Sequence, residues 1–446
     1  MVFNSFSFLF LFFPAFFVLW LRVPDQYKKY LILLGSLVFY AIGTWKTPVQ
    51  PGVLAGVACV GILGCALFQR AFFRRKLLLA ILIALAAAPL VYVKVTGLCM
   101  ADAPPLPLGL SFYTFQTIAL LVYAYQHEGT DVVSTANSIL FFPKLLSGPI
   151  AEPEEMLTEL SHPSDSRDMI DEGLQEFIIG LAYKVILADH LAGVLGPIMI
   201  RGVQGVSVQL AWLGALCYAL QLYFDFCGYS RMAVGVAGMM GIRLPQNFRH
   251  PYCSGSIREF WKRWHITLGR WFRTYVYIPL GGSRNGTKKL VFSTFVVWLL
   301  TGIWHGGGWN FVFWGMMMFA LLMGEFFLWG KWIEKHPAVG HIYVPFLVML
   351  SWIFFFTSGP AEAGHYFLRL VGVTGTPFDP NDWQEVLAQV RVYLVLAVIW
   401  ATPLPELCFR KIRGTLAGWI LMGILFLVCL FFMSTAASEP FLYFSF

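Results

Sequence analysis

Two histidines lie in sequence contexts that are unusual for an ionisable side chain. His305 stands in TGIWHGGGWN, directly after the apolar run VFSTFVVWLL. His265 stands in REFWKRWHITLGRW, among tryptophans and cations. Histidine titrates near neutral pH, so either ring is suited to accepting or donating a proton in a reaction. A histidine held by hydrogen bonds inside a helical bundle is the alternative, and the sequence leaves both readings open.

The residues around His305 favour a functional role. Gly306, Gly307 and Gly308 remove side chains where a bound group would need room, and they expose their peptide N–H groups. Trp304 and Trp309 are suited to form the walls of that space, and Asn310 offers an amide. We therefore expect His305 to line a cavity, with Trp304 and Asn310 as candidate binding residues.

The segment around His265 alternates tryptophans with cations. Trp261, Trp264 and Trp271 recur at helical spacing. Arg258 precedes the first of them, and Arg263 lies between the first and the second. This pattern is typical of a basic amphipathic helix that lies in the membrane interface. Anchoring the fold would account for it fully. The alternative is a cationic platform for the phosphates of a nucleotide-like donor or for an acidic carrier protein, with Arg258, Trp261 and Arg263 as candidate contacts.

Asp225 is embedded in the aromatic run LQLYFDFCGYSRM. Charged residues within spans are rare and usually face the bundle interior or an aqueous cavity. Asp225 therefore forms a structural ion pair, with Arg231 or another base, or it lines the reaction site. The sequence does not choose between these two.

The composition requires an integral membrane protein. The chain has 446 residues, of which 58% are hydrophobic and 12% charged, so it cannot cover a water-facing surface. We predict an all-α, polytopic bundle of about 11 to 13 spans in a single domain over residues 1–446. A span needs about 20 apolar residues, and candidates lie near 3–22, 29–45, 50–68, 76–95, 106–125, 174–200, 207–228, 289–305, 309–331, 341–358, 391–407 and 415–433. Shorter apolar pieces near 138–150 and 231–242 are candidate re-entrant or interfacial helices.

Charge indicates orientation and excludes other classes. The net charge is +7, and clusters of Lys and Arg in short loops mark the cytoplasmic side. The basic loop 69–76 and the cluster 410–413 are therefore expected to be cytoplasmic, which places the N-terminus outside. No nucleic-acid-binding module is visible. The eight cysteines are scattered without a C-x-x-C pair, so we expect neither a metal site nor a bound cofactor.

Three stretches together resemble the membrane-bound O-acyltransferases. They are GYSRMAVGVAGMMGIRLPQNFRHPY, REFWKRWHITLGRWFRTYVYIPLGG and TGIWHGGGWNFVFWG. LPLGLSFYTFQTI and FFPKLLSGPI resemble the same family upstream, so the motifs cover about residues 106–315. The ending EPFLYFSF is similar to the alginate O-acetylation members of the bacterial branch, which also includes teichoic-acid D-alanylation proteins. Thr274 and Glu152 depart from the family pattern, and both departures concern contacts to a donor or partner.

The resemblance implies a helical bundle with a central funnel. It implies His305 as the catalytic residue, suited to the role of general base, and His265 as a second, supporting histidine. Glycine N–H groups, Asn310 or His265 are candidate donors to a developing oxyanion.

The resemblance also implies acyl transfer with acetyl-CoA as donor. The acetyl group would move from the cytoplasmic side of a bacterial inner membrane towards a hydroxyl of an extracytoplasmic polysaccharide, with a periplasmic SGNH-like acetyltransferase as partner. D-alanyl transfer from a carrier protein is the alternative within the family. A polysaccharide or lipid transporter is a further alternative, but it predicts internal repeats that the sequence does not show. A scaffold of an export complex is the last.

Overall fold

In the computed structural model, residues 1–70, 75–100, 104–127, 131–164, 166–435 and 441–442 are described. All regular elements within these ranges are helices, so the all-α prediction is confirmed. The contacts divide the chain into two compact units, Met1–Leu181 with Tyr229–Gln246 and Ala182–Gly228 with Asn247–Phe446. The single domain stays a prediction.

The first unit contains the N-terminal helices. They are α1 Phe13–Arg22, α2 Asp25–Thr44, α3 Val49–Arg70, α4 Arg75–Cys99, α5 Leu110–Gln126, α6 Val132–Leu140, α7 Phe142–Leu145, α8 Pro153–Ser161 and α9 Arg167–Ala182, whose last residue already belongs to the second unit.

The second unit contains most of the remaining helices. In chain order these are α10 Asp189–Ala192, α11 Leu195–Arg201, α12 Val208–Met239, α13 Ile257–Arg263, α14 Ile266–Phe272, α15 Thr287–His305, α16 Trp309–Gly324, α17 Gly330–Lys335, α18 Pro337–Ser351, α19 Ile353–Phe356, α20 Pro360–Leu370, α21 Asp382–Trp400, α22 Leu404–Arg410 and α23 Leu416–Thr435. The last part of α12, from Tyr229 onward, belongs to the first unit.

Within the described residues, eight helices are long and apolar enough to cross a membrane. They coincide with eight of the twelve predicted stretches. Helices also lie at the other four, but α1 and α5 are short, and α2 and α15 carry cations in their first turns. The chain is thus a multi-pass helical protein, and the count of 11 to 13 crossings stays a prediction.

The sequence separates 207–228 from 231–242, whereas the structure has one continuous helix. Helix α12 runs for 32 residues without a proline. The polar pair Ser230 and Arg231 lowers the hydropathy at this point but does not interrupt the backbone. Arg231 instead pairs with Glu176, its Nε donating at 2.9 Å and its Nη2 at 3.0 Å to the carboxylate oxygens. The separate short helix was therefore a wrong prediction.

Glycines let α9 and α12 approach closely in the first unit. A Cβ built on Gly173 would lie 2.6 Å from the Met239 backbone nitrogen, 2.7 Å from the Gly235 carbonyl oxygen and 2.9 Å from the Gly238 carbonyl carbon. These are backbone atoms, which cannot rotate away as a flexible side chain would. The crossing therefore depends on the absence of a side chain at Gly173.

We predict that Gly173→Ala lowers the thermal unfolding midpoint of the detergent-solubilised protein. Overpacking of this kind costs about 1–3 kcal/mol of unfolding free energy. Gly56→Ala is the matched control, because Gly56 also lies on a helix of this unit but has no atom within 4 Å of a built Cβ. The control should leave the midpoint unchanged or raise it slightly, since alanine is the better helix former. Equal midpoints for the two variants would contradict the close crossing.

Candidate active site

His305 is the last residue of α15, at the turn into α16. The turn spans Gly306 to Gly308, and α16 begins at Trp309. A Cβ on Gly302 would lie 2.6 Å from the Phe311 carbonyl oxygen, so the two helices pack closely at this end. The close packing fixes where the His305 backbone lies.

Aromatic rings surround the His305 imidazole. Its ring centroid lies 4.5 Å from that of Trp304, 4.9 Å from that of Trp314 and 5.0 Å from that of Phe355. The residue is only 6% exposed. This packing restricts the rotation of the imidazole and limits the access of water to it.

The glycines after His305 make room for the chain itself. The position of a Cβ on Gly306 is occupied by the ring of Phe311, and that of Gly308 by the side-chain oxygen of Asn310. At these two positions the interpretation as space for a ligand was therefore wrong. Asn310 is also engaged, since its Nδ2 donates to the Phe354 carbonyl at 2.7 Å and to the Thr357 carbonyl at 3.2 Å. A binding role for Asn310 stays a prediction.

The tryptophan-rich basic segment is two helices and not one. Helix α13 ends at Arg263, α14 begins at Ile266, and Trp264 and His265 lie between them. His265 has a φ of 44°, in the left-handed region that non-glycine residues rarely adopt. The Ile266 N–H donates to the Asn247 carbonyl at 3.0 Å. In one continuous α-helix it would donate to the carbonyl four positions earlier. The prediction of one continuous helix was wrong, because competing hydrogen bonds from outside the segment end α13 here.

His265 is buried in a polar clamp and an aromatic wall. It is 3% exposed, and its Nδ1 lies 3.1 Å from the side-chain oxygen of Asn247. The ring of Phe226 packs edge-on at 4.7 Å between centroids. Burial lowers the pKa of His265 to about 3, so the ring is neutral at physiological pH.

One cavity of about 260 Å³ in the second unit joins the two histidines. Both His265 and His305 line it, and the Trp304 ring lies 6.1 Å from His265 and 4.5 Å from His305 between centroids. The polar groups that complete the lining are Arg273, Tyr277, Thr294 and Thr301. The structure thus brings together two histidines that are forty positions apart in the chain.

Of the three candidate contacts in the tryptophan-rich segment, one lines this cavity and two do not. Trp261 lines it, with its ring 4.7 Å from that of Trp298, whereas Arg258 and Arg263 are not among the lining residues. Arg258 is exposed, and Arg263 forms an ion pair with Glu259. Arg273 is the cation that lines the cavity, and it is not among the site residues predicted from the sequence. Its position eight residues, or about two helical turns, after His265 was the available signal.

Asp225 lies in a buried cluster of charges. The Lys184 ammonium is 2.7 Å from Asp225 and 2.7 Å from Asp189, and the Leu442 N–H donates to Asp225 at 2.9 Å. Of the two predicted kinds of partner, Arg231 or another base, the structure has another base, Lys184, because Arg231 pairs with Glu176. Asp225 is not among the residues lining the histidine cavity, and its role at the donor site stays a prediction.

The C-terminal motif EPFLYFSF is described only at Phe441 and Leu442; its other residues lie outside the described part of the chain. The Lys184 ammonium lies 4.8 Å from the centroid of the Phe441 ring. Together with the Leu442 hydrogen bond, this contact anchors the end of the chain on the charge cluster.

The depressed pKa of His265 predicts how the stability of the protein depends on pH. The unfolded imidazole has a pKa of about 6.5 and the folded one about 3, so the unfolded chain binds this proton more readily. The contribution of neutral His265 to the free energy of unfolding is fully present above about pH 6.5 and is lost as the pH falls towards 3. Replacing His265 by Gln should therefore make the unfolding midpoint fall less steeply with decreasing pH below 6.5. Parallel curves for the two proteins would contradict the depressed pKa.

Comparison with known proteins identifies the family of this chain. Residues 72–367 match the membrane-bound O-acyltransferase family. A probable alginate O-acetylase of Pseudomonas putida is 31% identical over the full length of both chains. A peptidoglycan O-acetyltransferase of Helicobacter pylori is 28% identical over 92% of this chain and 88% of its own. A teichoic acid D-alanyltransferase of Bacillus subtilis is 30% identical over 51% of this chain and 61% of its own.

The expectation from the motifs is confirmed: this chain belongs to the membrane-bound O-acyltransferase family and is a multi-pass membrane O-acyltransferase.

Proposed function

We propose that the chain moves an acetyl group from cytoplasmic acetyl-CoA towards a hydroxyl of an extracytoplasmic polysaccharide. The observation that carries the proposal is the cavity lined by both His265 and His305. A buried pair of imidazoles beside one small cavity is suited to proton transfer during acyl exchange.

The proposed step begins with attack of a hydroxyl oxygen on the thioester carbonyl carbon. His305 takes the hydroxyl proton as the C–O bond forms, and the C–S bond then breaks. The leaving thiolate takes the proton back from the imidazolium, so no net proton is consumed. General base assistance of this kind is worth about 10²–10⁴-fold in rate. His265 lines the same cavity and supports the reaction there.

The size and charge of the cavity support a short acyl group on a phosphorylated carrier. Its volume of about 260 Å³ lies below the range of about 300–1,000 Å³ that is typical for drug-sized ligands. Arg273 lines it and is exposed, and further exposed cations follow nearby in the sequence, at Arg284, Lys288 and Lys289. Guanidinium and ammonium groups suit the phosphates of coenzyme A.

The relatives support acetyl transfer over D-alanyl transfer. The alginate O-acetylase and the peptidoglycan O-acetyltransferase align with 100% and 92% of this chain, whereas the teichoic acid D-alanyltransferase aligns with 51%. We therefore propose a polysaccharide acceptor. A periplasmic SGNH-like acetyltransferase, which would complete the transfer to the polymer, is the proposed partner.

The proposed orientation follows from the positive charges of short loops. The basic segment 69–76, which runs from the end of α3 to the start of α4, supports a cytoplasmic position for these two helix ends. We place the chain in the inner membrane of a bacterium, with the N-terminus on the extracytoplasmic side and the exposed Arg273 towards the donor.

We predict that His305→Ala abolishes transfer of label from acetyl-CoA, because the acceptor hydroxyl loses its base. The measurement uses the purified full chain in lipid nanodiscs with labelled acetyl-CoA, a polysaccharide acceptor and the partner acetyltransferase. His162→Ala is the matched control, since His162 is an exposed residue outside the cavity, and it should keep full transfer. Membrane abundance and thermal midpoint are compared for both variants.

Two outcomes would contradict the proposal. Transfer by His305→Ala at the rate of the unmodified chain would remove His305 as the base. Label transfer from a D-alanyl carrier protein, without transfer from acetyl-CoA, would replace the proposed donor by the alternative of this family.

A further inference from the structure

The segment that contains Asn247 and Arg249 pairs with both sides of the helix break at His265. The Asn247 backbone carbonyl accepts the Ile266 N–H at 3.0 Å, and the Arg249 N–H donates to the Arg263 carbonyl at 2.9 Å. The extended segment after α12 is therefore hydrogen-bonded to the chain before and after His265. Asn247 itself is 1% exposed, so its amide has been removed from water.

The side-chain oxygen of Asn247 accepts three hydrogen bonds. The Thr267 N–H donates at 3.3 Å, the Thr267 hydroxyl at 3.0 Å, and the third contact is His265 Nδ1 at 3.1 Å. A backbone N–H can only donate, so the Asn247 atom that faces it is the oxygen and not the nitrogen. His265 Nδ1 therefore carries a proton and donates it to this oxygen.

The tautomer of His265 follows from these contacts. A neutral imidazole has one N–H, and the second nitrogen bears a lone pair. Since the N–H is at Nδ1, the lone pair is on Nε2. The ring is held at a left-handed residue, with φ of 44°, in a conformation that persists only where surrounding contacts enforce it.

We infer that Asn247 is a positioning residue that fixes His265 as the Nδ1–H tautomer, with Nε2 serving as a hydrogen-bond acceptor at the transfer cavity. The inference rests on the proposed function of that cavity. It makes Nε2 the atom that accepts a hydrogen bond from the acceptor hydroxyl or from another donating group. It also removes His265 from the candidate oxyanion donors, because a nitrogen with a lone pair cannot donate.

The first test reads the tautomer directly and needs no reaction. The full chain is labelled with nitrogen-15 at histidine in nanodiscs, and the His265 signals are identified by their loss in His265→Gln. We expect a protonated Nδ1 and an unprotonated Nε2 in the unmodified chain, and loss of this single pattern in Asn247→Ala. Asn247→Asp keeps an oxygen acceptor in place and should preserve the protonated Nδ1. A protonated Nε2 in the unmodified chain would overturn the inference.

The second test is a double-mutant cycle on acetyl transfer. We expect Asn247→Ala to lower transfer by about 100-fold, as misplacement of a reacting group does. In a His265→Ala background the same change should alter transfer by less than about twofold, because Asn247 acts through His265. Losses that multiply in the double variant would show that Asn247 acts independently of His265 and would overturn the inference, as would full transfer by His265→Ala.

Asn137→Ala is the matched control for the removal of a buried amide. Asn137 is 1% exposed and its Nδ2 donates to the Lys29 carbonyl at 2.8 Å. It lies in the first unit, and its removal should lower the thermal midpoint without a selective loss of transfer. If the unmodified chain transfers no acetyl label, the proposed function fails, whereas the nitrogen-15 pattern still decides the role of Asn247.

Discussion

The arrangement of the second unit depends on hydrogen-bond partners for the backbone groups at the buried break between α13 and α14. Backbone N–H and C=O groups away from water need partners, and the break at Trp264 and His265 leaves the Arg263 carbonyl and the Ile266 N–H without partners within a helix. The segment of Asn247 and Arg249 supplies a partner to each of them. His265 lies at this break, between α13 and α14, and lines the same cavity as His305.

The same requirement explains the charges within the apolar helices. Lys184 pairs with Asp189 and Asp225, and Arg231 pairs with Glu176. Removing one partner of the buried Lys184 cluster leaves an uncompensated charge, which costs about 3–5 kcal/mol. None of these five charged residues lines the histidine cavity. Among the described residues that line the cavity, Arg273 is the one permanent cation, so charge at the site comes from the basic surface and not from the buried helices.

The helical class and the region of each long helix could be read from hydropathy, because a lipid-facing helix must be apolar along its whole length. The two histidines could be identified because their neighbours are unusual and match a known family. What the sequence could not supply was which groups meet across distant segments. Asp225 has Arg231 six positions away, yet its partner is Lys184, forty-one positions earlier. Asn247 is an ordinary residue in its own segment and becomes important only through hydrogen bonds to His265 and Thr267.

The glycines after His305 show the same limit in another form. Local sequence indicates that room is needed at Gly306 and Gly308 but not which group occupies it, and the occupants are Phe311 and Asn310.

The contact between His265 and Asn247 determines more than the position of the His265 ring. Aromatic rings pack against both imidazoles, and this packing restrains their rotation. The hydrogen bond from His265 Nδ1 to the Asn247 side-chain oxygen also determines which nitrogen carries the proton. A residue that orients the incoming nucleophile should keep one protonation state throughout the reaction. The buried side chain of Asn247 provides this for His265, because a lone pair is then always present on Nε2.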